Sequence, residues 1–197
     1  MEPADLQSWL DEARPDGSAV LRAAQAGDAT AQMWVGHVIE RRCGKPCLPV
    51  AYQWYMKAAE QGAEWAQVRV GRALLRGQGT DRNEGRALAF FSAAAGNGSP
   101  LGHYWLGRCY ELGWGVDWNP TLAFQHFKTA ADTGVSQAAL RVAVSYMAGL
   151  GVKRDLRAAA RFLKIAASDL STAWRMSVAL LLMALLIAAC AFTYFGR

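Results

Sequence analysis

The stretch Leu106-Gly107-Arg108-Cys109-Tyr110-Glu111-Leu112-Gly113-Trp114-Gly115-Val116 decides the fold. Its last part, Gly-x-Gly followed by a small β-branched residue, occurs three times. The copies are Gly77-Gln78-Gly79-Thr80, Gly113-Trp114-Gly115-Val116 and Gly149-Leu150-Gly151-Val152, each 36 residues after the one before. Six residues upstream of each stands a small residue, Gly71, Gly107 or Ala143, and Gly36 extends that column. Paired small residues recur at Ala58-Ala59, Ala94-Ala95 and Ala130-Ala131, each followed by a glycine (Gly62, Gly98, Gly134), with a degraded copy at Ile165-Ala166. Ala23-Ala24 and Gly27 match the second half of one more unit. Self-similarity at a fixed period of this length marks a stacked repeat architecture.

Each unit reads as two helices. Tyr104, Leu106 and Tyr110 around Gly107 follow helical spacing, and the column glycine lets a neighbouring helix approach. Gly-x-Gly turns the chain with residues that tolerate positive φ. Asn83, Asn119 and Asp155 occupy one N-cap column, and Asn119-Pro120 places proline at the first helical position. Large residues on the second helix, Trp54-Tyr55, Phe90-Phe91 and Phe127, are expected to pack against the paired alanines of neighbouring units.

These residues resemble the SEL-one-like repeat, a relative of the tetratricopeptide repeat. The likeness rests on Ala31, Val35-Gly36 and Trp54-Tyr55-Met56-Lys57-Ala58-Ala59 in the first unit. In the second and third it rests on Ala66, Val70-Gly71, Leu106-Gly107, Tyr110 and the Gly-x-Gly segments, and in the fourth on Tyr146, Gly149-Leu150-Gly151-Val152 and Asp155. Two departures stand out. Arg42-Cys43-Gly44-Lys45-Pro46-Cys47 replaces the first Gly-x-Gly, and Ala143 and Asp169 replace the column and closing glycines of the last unit. The resemblance implies an all-α, right-handed α-solenoid whose concave face is lined by the first helices. The expected organisation is a capping segment over 1–17 and a solenoid over 18–170, made of a half-repeat 18–30 and repeats of about 31–65, 66–101, 102–137 and 138–170. In the capping segment Leu6, Trp9, Leu10 and Ala13 have helical spacing.

A transmembrane helix over 176–195 is expected to follow. Met176 to Phe195 carries no charge over its twenty residues, and as a helix it would be about 30 Å long, the thickness of a bilayer's hydrocarbon core. The first residues show no secretory-signal pattern, with Glu2, Asp5, Asp11, Glu12 and Asp16 against Arg14. Lys153, Arg154, Arg157, Arg161, Lys164 and Arg175 precede the apolar run and only Arg197 follows it. Basic residues stay on the cytoplasmic side, so the expected topology is a single-pass, tail-anchored protein of a bacterial inner membrane with a cytoplasmic solenoid.

The net charge of +5 is uneven: residues 1–28 hold six acids and two bases, residues 141–175 seven bases and two acids. No nucleic-acid motif accompanies the basic end, so anionic lipid headgroups explain it more simply. Catalytic signatures are missing as well. Gly44-Lys45 lacks the rest of a phosphate loop, and neither H-E-x-x-H nor G-x-S-x-G occurs. His37, His103 and His126 have no acid or nucleophile at a defined spacing, and His126 stands where the resemblance places a tryptophan. Cys43 and Cys47 read as unpaired loop cysteines: structural zinc needs four ligands, and a reducing cytosol disfavours a disulfide. Cys109 reads as core and Cys190 as membrane-embedded. The expectation is a protein with no enzymatic activity and no cofactor.

One surface pattern remains. Residues two before, one after and five after the column position share a helix face. They read Trp34, His37, Arg41; Arg69, Arg72, Arg76; Trp105, Arg108, Leu112; and Arg141, Val144, Ala148. Stacked, they form a basic stripe with two tryptophans, partly neutralised by Glu40 and Glu111 and suited to an acidic protein or peptide. The partner-binding set is therefore Trp34, His37, Arg69, Arg72, Trp105, Arg108 and Arg141. The expected function is a membrane-tethered adaptor that binds a protein and, through its last helix, the lipid bilayer. Alternatives are an immunity protein that neutralises a toxin and a metal-dependent enzyme built on the cysteine loop. Whether the chain self-associates through Ala184 and Ala188 stays open.

Overall fold

The computed structural model describes residues 3–13 and 16–168. Among them every regular element is helical: α1 (Pro3–Ala13), α2 (Gly17–Gln25), α3 (Ala29–Cys43), a short 3-10 turn at Lys45–Cys47, α4 (Leu48–Glu60), α5 (Glu64–Arg76), α6 (Glu84–Gly96), α7 (Pro100–Leu112), α8 (Pro120–Asp132), α9 (Ser136–Ala148) and α10 (Leu156–Ser168). The helices pair as α3/α4, α5/α6, α7/α8 and α9/α10, and each pair packs on the next in chain order. This is the stacked all-α arrangement expected from the repeat. Residues 176–195, the expected transmembrane helix, lie outside the described residues. Among the described residues no helix is long and apolar enough to cross a membrane.

The 36-residue period has a backbone cause. Gly77, Gly113 and Gly149 end α5, α7 and α9 in the left-handed region, with φ of 64°, 71° and 74°. Three identical loops follow. The N–H groups of Gln78, Trp114 and Leu150 donate to the carbonyls of Ala73, Cys109 and Ser145, and those of Asn83, Asn119 and Asp155 to Leu74, Tyr110 and Tyr146. The second glycine does more than turn. A Cβ on Gly115 would meet the Glu84 carbonyl oxygen at 2.6 Å, and one on Gly151 would run into the Pro120 carbonyl oxygen. Each loop thus seats its bare backbone on the first turn of the preceding repeat's second helix. The side chains of Asn83, Asn119 and Asp155 then accept from the N–H groups of Arg86, Leu122 and Ala158, which start α6, α8 and α10.

The column glycine has a partner that the sequence reading misplaced. The large aromatic rings of the second helices lie on the glycine of their own hairpin: Phe91 on Gly71, Phe127 on Gly107 and Tyr55 on Gly36. Phe91 and Phe127 are fully buried there. In the last repeat Ala143 replaces the glycine, and Leu163, at the matching place on α10, packs in the cluster that contains Ala143. A smaller, non-planar side chain opposite leaves room for one methyl group. At the other end α1 buries Leu6 and Leu10 and packs on α2 and α3.

The first loop departs from the pattern for a covalent reason. Gly44 ends α3 at φ 69°, the chain makes its 3-10 turn, and Cys43 and Cys47 are joined by a disulfide across a Cα separation of 5.7 Å. This corrects the reading of the two as unpaired loop cysteines. A cross-link here stands in for the missing Gly-x-Gly.

Candidate functional site

The first helices α3, α5, α7 and α9 place their outward residues side by side, about one repeat apart. A groove of about 440 Å³ lies along α5 and α7 and reaches Gln137 of α9. Its α5 wall carries Trp65, Arg69, Arg72 and Arg76, and its α7 wall carries Leu101, Tyr104, Trp105 and Arg108. Arg69, Arg72, Trp105 and Arg108 of the expected set are thereby brought together. Trp34 and His37 line a neighbouring hollow of about 460 Å³ with Arg41 and Arg42, their rings edge to face at 6.0 Å. Arg141 lies on α9 beyond the groove and turns towards Glu111 of α7.

The arginines divide into two kinds. Arg69 is spent on the fold: its guanidinium reaches Glu40 on α3 at 3.2 Å and lies over the Trp65 ring at 4.7 Å. Glu40 also accepts from the Tyr55 hydroxyl at 2.7 Å, and burial with that hydrogen bond pushes the Tyr55 pKa up. Arg108 and Arg141 share Glu111, at 3.1 Å and 3.3 Å. The anticipated neutralisation by Glu40 and Glu111 thus consists of one ion pair joining α3 to α5, one joining α7 to α9 and one within α7. Arg72 is different. Among the described residues it has no acidic partner, its Nε is buried without a hydrogen-bond acceptor, and its guanidinium lies 5.5 Å from the centre of Trp105. Burial lowers its pKa and the neighbouring Arg76 and Arg69 lower it further, while the Glu40 carboxylate, beyond ion-pair distance, offsets part of this. Arg76 is exposed beside it and likewise has no acidic partner among the described residues.

Aromatic walls hold these cations in place. Trp105 stacks on the buried Phe91 at 5.5 Å, and Arg108 lies over Trp114 at 5.5 Å. The sequence reading missed Trp65, Tyr104 and Trp114. Trp65 was detectable as the residue one helical turn before Arg69, whereas Trp114 sits in a loop whose direction only the fold sets. His37 has a buried Nδ1 without a partner, and burial followed by the charge of Arg69 lowers its pKa.

His103 and His126 meet outside the groove. Their Nδ1 atoms are 3.1 Å apart, and the His126 ring stacks on Tyr110. Burial lowers both pKa values, and for His126 the neighbouring His103 adds to it. Cys109 is buried and burial pushes its thiol up to about 12, so it is an inert core residue. No group of three or more His, Cys, Asp or Glu side chains is arranged to hold a metal ion among the described residues. The disulfide also withdraws Cys43 and Cys47 as thiolate ligands, which removes the basis for a metal-dependent enzyme on that loop.

Comparison with known proteins places this geometry. The model of the Sel1 repeat matches residues 48–62, 66–99, 100–135 and 136–169. A Sel1 repeat protein from Oxalobacter formigenes superposes with a TM-score of 0.71 at 31% identity, over 78% of this chain and 64% of that one. A protective antigen of uropathogenic Escherichia coli strains, which displays an SLR fold, gives 0.73 at 27% identity, over 80% and 34%. The chain therefore spans less than two thirds of the length of either protein. Helicobacter pylori cysteine rich protein B shares the fold at a TM-score of 0.53 and 23% identity, over 68% of this chain and 96% of that one. No curated protein matches. Sel1 repeats generally serve as protein–protein interaction modules, and proteins built from them are typically scaffolds without enzymatic activity. With four matched segments and three turns of identical hydrogen bonding, the chain belongs to the Sel1 repeat family.

Proposed function

We propose that this protein is an adaptor that holds an acidic segment of a partner protein in the groove between α5 and α7. The observation that carries this reading is Arg72. A cation whose Nε is buried without an acceptor, and which is crowded by two further arginines, is stabilised by an incoming carboxylate. Trp105 beneath it and Trp65 across the wall supply apolar surface of the kind on which interfaces concentrate their binding energy. Arg69, Arg108 and Arg141 take the supporting part: paired with Glu40 and Glu111, they fix the helices and tune the field. Trp34 and His37 extend the surface towards the first repeat.

Tethering belongs to the same proposal. The uncharged run 176–195 would anchor the chain in a bacterial inner membrane, with the solenoid on the cytoplasmic side that the charge asymmetry favours, although the Cys43–Cys47 bridge is the chemistry of an oxidising compartment. Confinement to the bilayer raises the effective concentration of any partner in the same membrane. Affinity capture from native membranes tests the groove. Wild type should retain a discrete partner that Arg72→Glu loses and Arg86→Glu, on α6, keeps. Equal retention by all three would reject the groove as the binding site.

A further inference from the structure

The last hairpin carries a second charged surface that the groove does not use. On α10, Arg157, Arg161 and Lys164 follow at four- and three-residue steps and form one exposed stripe. Ala159 and Phe162 on the opposite side are buried. Lys153 and Arg154 in the preceding loop, both exposed, continue the stripe past the start of α10. None of these five cations has an acidic partner among the described residues, and Asp155 between them is occupied as the N-cap. Beside them Leu150 and Leu156 are 48% and 58% exposed, and Ile165 next to Lys164 is exposed as well, as are Leu140, Val144 and Met147 on α9. The outer face of this hairpin thus presents unpaired cations with aliphatic side chains at their edge.

We propose that this face lies on an anionic lipid bilayer, the cations against headgroup phosphates and Leu150 and Leu156 dipping into the interface. Two facts select this occupant. Positive charge with adjoining exposed aliphatic residues is the chemistry of an interfacial segment, where cations meet headgroups and apolar side chains enter below them. In addition, seven residues separate Ser168, the end of α10, from Met176, where the uncharged run begins. Fully extended they reach at most ~25 Å, so a bilayer that held the apolar run would keep the stripe close to its surface. The contact fixes how the solenoid stands on the membrane and thus where the groove faces. It rests on the proposed membrane tether and not on what the groove binds.

The test uses full-length protein reconstituted into vesicles, with an environment-sensitive fluorophore introduced at position 156. Vesicles of phosphatidylcholine with about 30% phosphatidylglycerol should blue-shift and brighten the fluorophore, with a response at least about tenfold that in phosphatidylcholine alone, because the stripe answers to surface charge. About 0.5 M salt should reverse the effect, since it screens charges beyond a few ångströms. Arg157→Gln, Arg161→Gln, Lys164→Gln together should abolish it, whereas the same charge loss at Arg22→Gln, Lys57→Gln, Arg86→Gln should leave it intact. Equal signals in the two lipid compositions, or equal effects of the two triple variants, would overturn the proposal. So would retention by duplex DNA or single-stranded RNA that needs the stripe while anionic vesicles give no signal. Circular dichroism of both variants confirms that the repeats remain folded.

Discussion

Phe91 lies against Gly71 so closely that a Cβ on the glycine would sit 2.5 Å from its ring, and the ring is fully buried. The contact recurs one repeat later between Gly107 and Phe127, where a Cβ would come within 2.6 Å. Neither ring can withdraw without opening the core between its helices. Gly71→Ala and Gly107→Ala should therefore each destabilise by about 1–3 kcal/mol, lowering the melting temperature by ~2–4 °C per kcal/mol in a chain of this size. Gly96 closes α6 with open space around its Cβ position. Gly96→Ala should stabilise by up to about 1 kcal/mol. Thermal unfolding of the three variants checks the opposite signs.

Arg69 and Arg72 lie one turn apart on α5 yet should respond differently to truncation. Arg69→Ala removes the cation from Glu40, which is then left with the Tyr55 hydroxyl, and should cost about 1 kcal/mol for a pair still reached by solvent. Arg72→Ala relieves repulsion from Arg69 and Arg76 but removes the longer-range attraction of Glu40 and the contact with Trp105, so the gains and losses offset and stability should hardly move. Charge reversal at Arg69 or Arg108 would set like charges beside Glu40 or Glu111 and confuse binding with folding. Chemical unfolding of the two alanine variants separates the structural cation from the available one.

Stability should fall as the solution is acidified below about pH 6.5. The folded-state pKa values of His103 and His126 lie beneath the ordinary value of 6.5. Between the two values the unfolded chain binds protons that the folded chain does not, so stability is full above the window and drains as pH drops through it. His37 contributes in the same direction. Melting temperatures measured between pH 7.5 and 5 should show a slope that His103→Gln, His126→Gln together flatten but do not remove.

Cys43 and Cys47 should resist alkylation in the purified protein until a reductant is added, as peptide mass spectrometry will show. Closing so short a loop contributes up to about 2 kcal/mol in the chain-entropy account, so reduction should lower the melting temperature by several degrees. Thiol trapping in intact cells also reads the compartment. Free thiols accompany the proposed cytoplasmic placement, and a persistent bridge contradicts it.

Much of this architecture was legible because its determinants are local. Gly77, Gly113 and Gly149 announce a left-handed residue, and Asn83, Asn119 and Asp155 announce a helix start, wherever such segments fold. The fixed spacing then supplies the stacking. What stayed hidden depends on which residues the stacking brings together. Arg69 finds Glu40 across 29 positions and Arg141 finds Glu111 across 30. Those pairs single out Arg72 among otherwise similar arginines, and no sequence pattern announces them. The aromatic rings stand out in the sequence, but the spacing of Gly71 and Phe91 acquires meaning only once the hairpin is closed. The disulfide was missed because the turn at Gly44 and Lys45–Cys47 replaces the motif from which loop geometry was inferred.

The groove itself is tested most directly by site-specific photocrosslinking in living cells. A photoreactive residue at Leu101, in the α7 wall, should give a discrete protein adduct, and one at Lys57, exposed on α4, should not. Adding Arg72→Glu should erase the adduct from position 101 while the melting temperature stays within about 2 °C of the parent, because the new carboxylate faces Arg69 and Arg76. An adduct from position 57 alone, or one from position 101 that Arg72→Glu leaves untouched, would contradict the account.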